Sequence, residues 1–183
     1  MKTTLTSLLV FALLAGQPAL AQDAAHAHDG AHDAAHAADS ARDVVIAGDL
    51  EISGAFTRAT PPNAPVGGGY LVIANRGDAD DRLIGGSTAI AGALEIHEMA
   101  VTNDVMTMRE LPEGLVIPAG ETVTLEPGGY HLMLMQLSAP IVEGVPVTVT
   151  LEFERAGTVE IDLAVAAPGA RTAPGADHGH HAH

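Results

Sequence analysis

Five of the six methionines fall between Met99 and Met135, and the same stretch holds His97 and His131, the only histidines outside the ends of the chain. They occur as His97-Glu98-Met99, Met106-Thr107-Met108 and His131-Leu132-Met133-Leu134-Met135, in a chain without cysteine. Thioether sulfur is soft, neutral and not titratable, so together with neutral imidazole it favours a soft monovalent ion, above all Cu(I). Hard cations such as Ca²⁺ and Mg²⁺ call for oxygen ligands, which this set does not offer. Imidazole takes a metal only when neutral, so binding is expected to weaken as pH falls toward its ordinary pKa of about 6.5. A single methionine in a β core is usually a gap filler, and a single histidine a satisfied polar group. Their concentration points to a site, with one or two of Met99, Met106 and Met135 expected to be packing residues. Glu98 is expected to be solvated or to orient His97 from outside the ligand set.

The elements that carry these residues read as strands. Short runs rich in Val, Ile, Leu and Thr alternate with Gly and Pro, which is all-β punctuation. The pattern predicts strands at Val44 to Ile46, Leu50 to Ala55, Gly69 to Asn75, Arg82 to Thr88, Ala93 to Met99, Val105 to Leu111, Thr122 to Leu125, His131 to Leu137, Pro146 to Phe153 and Thr158 to Val165. Clean alternation in Val147-Thr148-Val149-Thr150-Leu151 gives one buried and one wet face. Turn signals recur at Asn75-Arg76-Gly77-Asp78, Pro118-Ala119-Gly120 and Pro127-Gly128-Gly129, and no amphipathic helix interrupts them. A Greek-key β-sandwich is the economical expectation. Residues two apart on a strand share a face, so His97 pairs with Met99, Met106 with Met108 and His131 with Met133.

Composition sets the surroundings. Lys2, the apolar run Leu8 to Leu14 and Ala19-Leu20-Ala21 follow the order of a secretory signal peptide over residues 1–21, cleaved near Ala21, and the run is too short to be kept as a membrane span. Residues 22–42, built of Ala, Asp and His, lack the apolar side chains needed to offset ordering entropy and read as a flexible arm. Residues 43–166 form the domain, and 167–183 read as a second disordered tail, broken by Pro168, Gly169, Pro174 and Gly175. The ends carry His26, His28, His32, His36, His178, His180, His181 and His183, with Asp29, Asp33 and Asp177 near them. Imidazole with carboxylate suits Cu(II), and also Zn²⁺ or Ni²⁺, with little geometric selection. The formal net charge of −15 argues against nucleic acid and anionic lipid as partners, and favours cations and basic patches. Without cysteine the exported chain has no disulfide, and blue-copper electron transfer, which needs a thiolate, is excluded.

The run His97-Glu98-Met99, Met106-Thr107-Met108-Arg109, Ile117-Pro118-Ala119-Gly120 and Pro127-Gly128-Gly129-Tyr130-His131-Leu132-Met133-Leu134, with Gly69-Tyr70-Leu71 and Asn75, resembles the PCu(A)C family of periplasmic copper chaperones. The resemblance covers nearly the whole middle domain. It implies a cupredoxin-like β-sandwich that binds one Cu(I) through His and Met side chains. The family pattern is a histidine, ten residues, a methionine and, after a longer gap, His-x-Met; it falls on His97, Met108, His131 and Met133, with Met106 and Met99 as alternative thioethers. One more residue separates Met108 from His131 than is usual, placed in Glu110-Leu111-Pro112-Glu113-Gly114. The resemblance further implies delivery of copper to the copper-bearing subunit II of cytochrome oxidase, alongside a thiol-bearing assembly factor, and Cu(II) binding by histidine-rich extensions. A copper buffer without a dedicated client is the competing expectation. An enzyme is not expected, because two domain histidines without a nucleophile or a carboxylate pair leave no catalytic constellation.

Overall fold

The computed structural model describes residues 44–102 and 105–175. The expected signal peptide, the arm and the eight terminal histidines lie outside the described residues. Eleven strands run in chain order as β1 (Val45–Ala47), β2 (Leu50–Arg58), β3 (Val66–Asn75), β4 (Asp81–Ser87), β5 (Ala93–Thr102), β6 (Val105–Glu110), β7 (Leu115–Ile117), β8 (Thr122–Leu125), β9 (Tyr130–Met135), β10 (Val147–Phe153) and β11 (Gly157–Ala166).

The domain is all-β, but the expected pair of separate sheets is replaced by one sheet that closes on itself. Its path is β6-β5-β9-β8-β3-β2-β11-β10-β4-β7, and a further β4–β5 pairing at Gly86 and Leu94 completes a circuit of eight strands. β6 and β7 hang from the circuit, and β1 pairs β2 outside it. Closure depends on Gly86: a Cβ there would stand 2.4 Å from the Thr150 carbonyl oxygen, so only glycine lets β4 lie between β10 and β5. Most pairs are antiparallel, while β11–β2 and β8–β9 are parallel.

Alternation decides which side chains enter the circuit. On β10, Val147, Val149, Leu151 and Phe153 are buried, and Thr148 and Glu152 are exposed. On β5 and β9, Leu94, Ile96, Leu132 and Leu134 join the same interior cluster as Leu71, Ile73, Leu83 and Leu163. Each such fully buried leucine contributes roughly 1.5–3 kcal/mol. Glu95, His97, His131 and Met133 must therefore project from the opposite, outer face.

Part of that outer face is covered. Phe56, Tyr70, Ala164 and Ala166 form a second buried cluster, against which Ala170 and Ala173 pack. The Phe56 and Tyr70 rings lie 4.9 Å apart, the Arg58 guanidinium stands 5.0 Å from the Tyr70 centroid, and Arg58 Nε donates to the Ala170 carbonyl at 2.6 Å. Residues 167–175, read from the sequence as the start of a disordered tail, are thus seated on the domain. Alanine side chains are small enough to lie flat on the aromatic pair, a contact no local apolar run reveals. Two strand expectations also shift. β3 begins at Val66 and takes in Gly67 and Gly68, and β7 was not expected.

Candidate metal centre

β5 is the central strand of the site, with β9 on one side and β6 on the other. The β5–β9 ladder sets His97 opposite His131 and Glu95 opposite Met133. The β5–β6 ladder sets Glu110 opposite His97, Met108 opposite Met99 and Met106 opposite Val101. Directly opposed residues share a face, so the outer face is built in rows about 6.6 Å apart. The central row is His131, His97 and Glu110. Met133 with Glu95 flanks it on one side, and Met99 with Met108 on the other. Met106 stands one row further along β6, and Met135 one row beyond Met133. The additional residue after Met108 leaves this register intact, because the β5–β6 ladder runs unbroken from His97↔Glu110 to Thr102↔Val105.

The turn before β9 sets where His131 falls. Gly129 N–H donates to the Glu126 carbonyl at 3.0 Å, and Glu126 N–H to the Tyr130 carbonyl at 2.7 Å. Pro127 at the second position and Gly128 with φ 97° at the third are the residues a type II turn requires.

The imidazoles of His97 and His131 have ring centroids 5.8 Å apart and are tilted by 49°. Both are more than nine-tenths buried. His131 Nδ1 lies 3.1 Å from the Gly129 carbonyl oxygen, so it carries the proton and leaves Nε2 as the free donor atom. Burial pushes the His131 pKa below its ordinary value; the Gly129 hydrogen bond works in the opposite sense, and the neighbouring His97 adds to the lowering. His97 Nε2 lies 2.8 Å from Glu95 Oε2, while its Nδ1 is buried and has no hydrogen-bond partner among the described residues. Met99 and Met133 are half-buried, whereas Met108 is 47% and Met106 62% exposed. A groove of about 180 Å³ lined by Arg58, Tyr70, Met99, Pro127, Gly128 and His131 opens beside the pair.

Two features differ from the sequence reading. Glu98 does not address His97: it lies on the other face of β5 and accepts from Arg109 Nε at 2.7 Å, because neighbouring residues on a strand point apart. The carboxylate that does reach His97 is Glu95. The signal for it was available, since Glu95 is two residues before His97 and therefore on its face. Tyr70 and Arg58 beside His131 had no such signal, because strand pairing alone brings β2 and β3 there. Two imidazoles with available lone pairs, rimmed by thioethers and with one carboxylate held behind a ring, form a donor set for a soft ion, and the unpartnered buried Nδ1 of His97 fits one.

The fold recurs in proteins of known structure. The chain is similar to a copper-bound PCuAC domain from PmoF2, with 29% identity and a TM-score of 0.59 over 69% of this chain and 99% of that domain. It is similar to CuI-DR1885 from Deinococcus radiodurans, with 29% identity and a TM-score of 0.51 over 67% of this chain and 80% of that one. Among curated proteins it is 38% identical over 93 residues to "Putative lipoprotein Lxx21020" of Leifsonia xyli subsp. xyli, covering 51% of this chain and 56% of that relative's length. The family profile described as "Putative lipoprotein LpqE-like" matches residues 50–165. The chain belongs to this LpqE-like family, and it is similar in structure to PCuAC domains.

Proposed function

We propose that the protein is a non-enzymatic carrier of Cu(I), holding one ion between His97 and His131 with thioether ligation from Met108 and Met133, and Met99 beside Met108 as a further thioether. The observation that carries this reading is the cross-strand histidine pair, 5.8 Å between ring centroids and flanked on the same face by rows of methionine. Support comes from the copper held by the PmoF2 domain and the Cu(I) held by DR1885. Soft neutral ligands keep the ion monovalent and exchangeable, and half-exposed Met108 gives an acceptor access to it. In this reading the protein is exported to the periplasm, a location consistent with the lipoprotein naming of its relatives, and hands copper to the copper-bearing subunit II of cytochrome oxidase, with a thiol-bearing assembly factor acting beside it. The histidines of 22–42 and 176–183 add weaker, less selective Cu(II) capacity.

Cu(I) affinity measured against a chromophoric chelator tests the site. Wild type should bind one equivalent, with His131→Ala and Met108→Ala each at least tenfold weaker; equal affinity in all three would remove the site. Mixing loaded protein with an apo copper-bearing oxidase subunit tests delivery. Stoichiometric transfer by wild type is expected, and retention of the copper would make the protein a buffer instead.

A further inference from the structure

The histidine pair is held by two different devices, and their difference assigns which nitrogen of each ring faces the ion. In an imidazole the nitrogen free to bind a metal is set by the hydrogen bond that the other nitrogen makes. For His131 that bond is to the backbone: Nδ1–H to the Gly129 carbonyl, 3.1 Å. For His97 it is to a side chain: Nε2–H to Glu95 Oε2, 2.8 Å. The remaining nitrogen of His97, Nδ1, is buried and has no hydrogen-bond partner among the described residues, a condition that buried polar atoms avoid unless an ion, a ligand or a water completes them.

We infer that Glu95 is a positioning residue which holds His97 in its Nε2–H form and so presents Nδ1 to copper, opposite Nε2 of His131. This rests on the reading of His97 as a copper ligand. The carboxylate is suited to the task. It sits two residues before His97 on the same face of β5, opposite Met133, and among the described residues its one side-chain hydrogen bond is to His97. It projects from the outer face and belongs to neither apolar cluster, so its removal leaves the core packing in place. Without it, nothing at that position accepts a proton from Nε2. The ring can then carry its proton on Nδ1, the atom the ion needs, or turn away. Loss of such an outer partner typically lowers metal affinity by roughly 10–100-fold.

The test compares wild type, Glu95→Ala, Glu95→Gln and His131→Ala in two measurements. The first is the protonation site of the His97 ring in apo protein, read from long-range ¹H–¹⁵N correlations of ¹⁵N-labelled imidazole. The second is Cu(I) affinity by chelator competition. The expected result is an Nε2–H ring at His97 in wild type and in Glu95→Gln, whose amide oxygen still accepts, with affinity kept within a few-fold. Glu95→Ala should lose that protonation pattern and bind Cu(I) roughly 10–100-fold more weakly. An Nδ1–H ring in wild type would overturn the inference, and so would a Glu95→Ala protein that loses affinity with its ring pattern unchanged. If Glu95→Ala binds like wild type while His131→Ala does not, the inference falls and the copper site stands. If His131→Ala also binds like wild type, the copper reading itself falls.

Discussion

At His131 two influences oppose each other, and burial prevails over the Gly129 hydrogen bond, leaving the pKa below the ordinary 6.5. The sign follows. In the unfolded chain His131 takes a proton near its ordinary value, while in the folded chain it resists until lower pH. Between the two values the unfolded state binds more protons, so stability falls as pH falls through this window, and it is fully present above it. Urea unfolding of apo protein from pH 7.5 downward should show a loss of stability beginning near pH 6.5, and His131→Gln should flatten that slope; an unchanged slope would show that the burial argument is wrong. In the proposed site, the same lowering would keep Nε2 free for copper to a more acidic pH than an exposed histidine would allow. At this scale the i, i+2 pairs were legible because a strand has period two. Of the two carboxylates near His97 in sequence, the adjacent Glu98 is sent by the same period to the other face, where Arg109 meets it, while Glu95, two residues before, shares the face of the ring.

Between residue and molecule, the element that fixes the site is the turn from Glu126 to Gly129, since it decides which residue of β9 meets His97. Gly128 has φ 97°, in the region L side chains adopt reluctantly, although a Cβ there would meet no atom within 4 Å. Gly128→Ala should therefore cost about 1 kcal/mol or more through backbone strain alone. It should also weaken Cu(I) binding, because the relaxed turn moves the Gly129 carbonyl that orients His131. Urea unfolding and chelator competition on the one variant check both; a stability loss with no change in Cu(I) affinity would separate the turn from the site. Pro127-Gly128-Gly129 was legible as a turn from residue type, whereas the glycine run that opens β3 was not legible as a strand. The reason for those glycines is tertiary: a Cβ at Gly67 would meet Ile141 at 2.8 Å, and one at Gly68 the Tyr70 hydroxyl at 2.7 Å. β7 hid for a similar reason. Its three residues lie between Pro112 and Pro118, and only pairing with β4 marks them as a strand.

For the molecule as a whole, alternation made the all-β class readable, while closure was not, because it hangs on one pairing between Gly86 and Leu94 that no local pattern encodes. The limit of the domain was hidden in the same way. Pro168, Gly169 and a run of alanines look like a tail, yet Ala170 and Ala173 cover Phe56 and Tyr70, and Arg58 grips the Ala170 carbonyl beside the groove that His131 lines. A chain ending at Gly175 should thus keep the stability and the Cu(I) affinity of the full chain. One ending at Ala166 uncovers the aromatic pair and releases Arg58, and should lose roughly 1.5–3 kcal/mol. Both truncations remove His178, His180, His181 and His183, so Cu(II) stoichiometry should fall equally in the two. Comparing them separates what the histidines supply from what residues 167–175 supply. Equal stability in the two truncated chains would show that the segment merely rests on the domain, and a Cu(II) stoichiometry unchanged from the full chain would show that these histidines hold no metal.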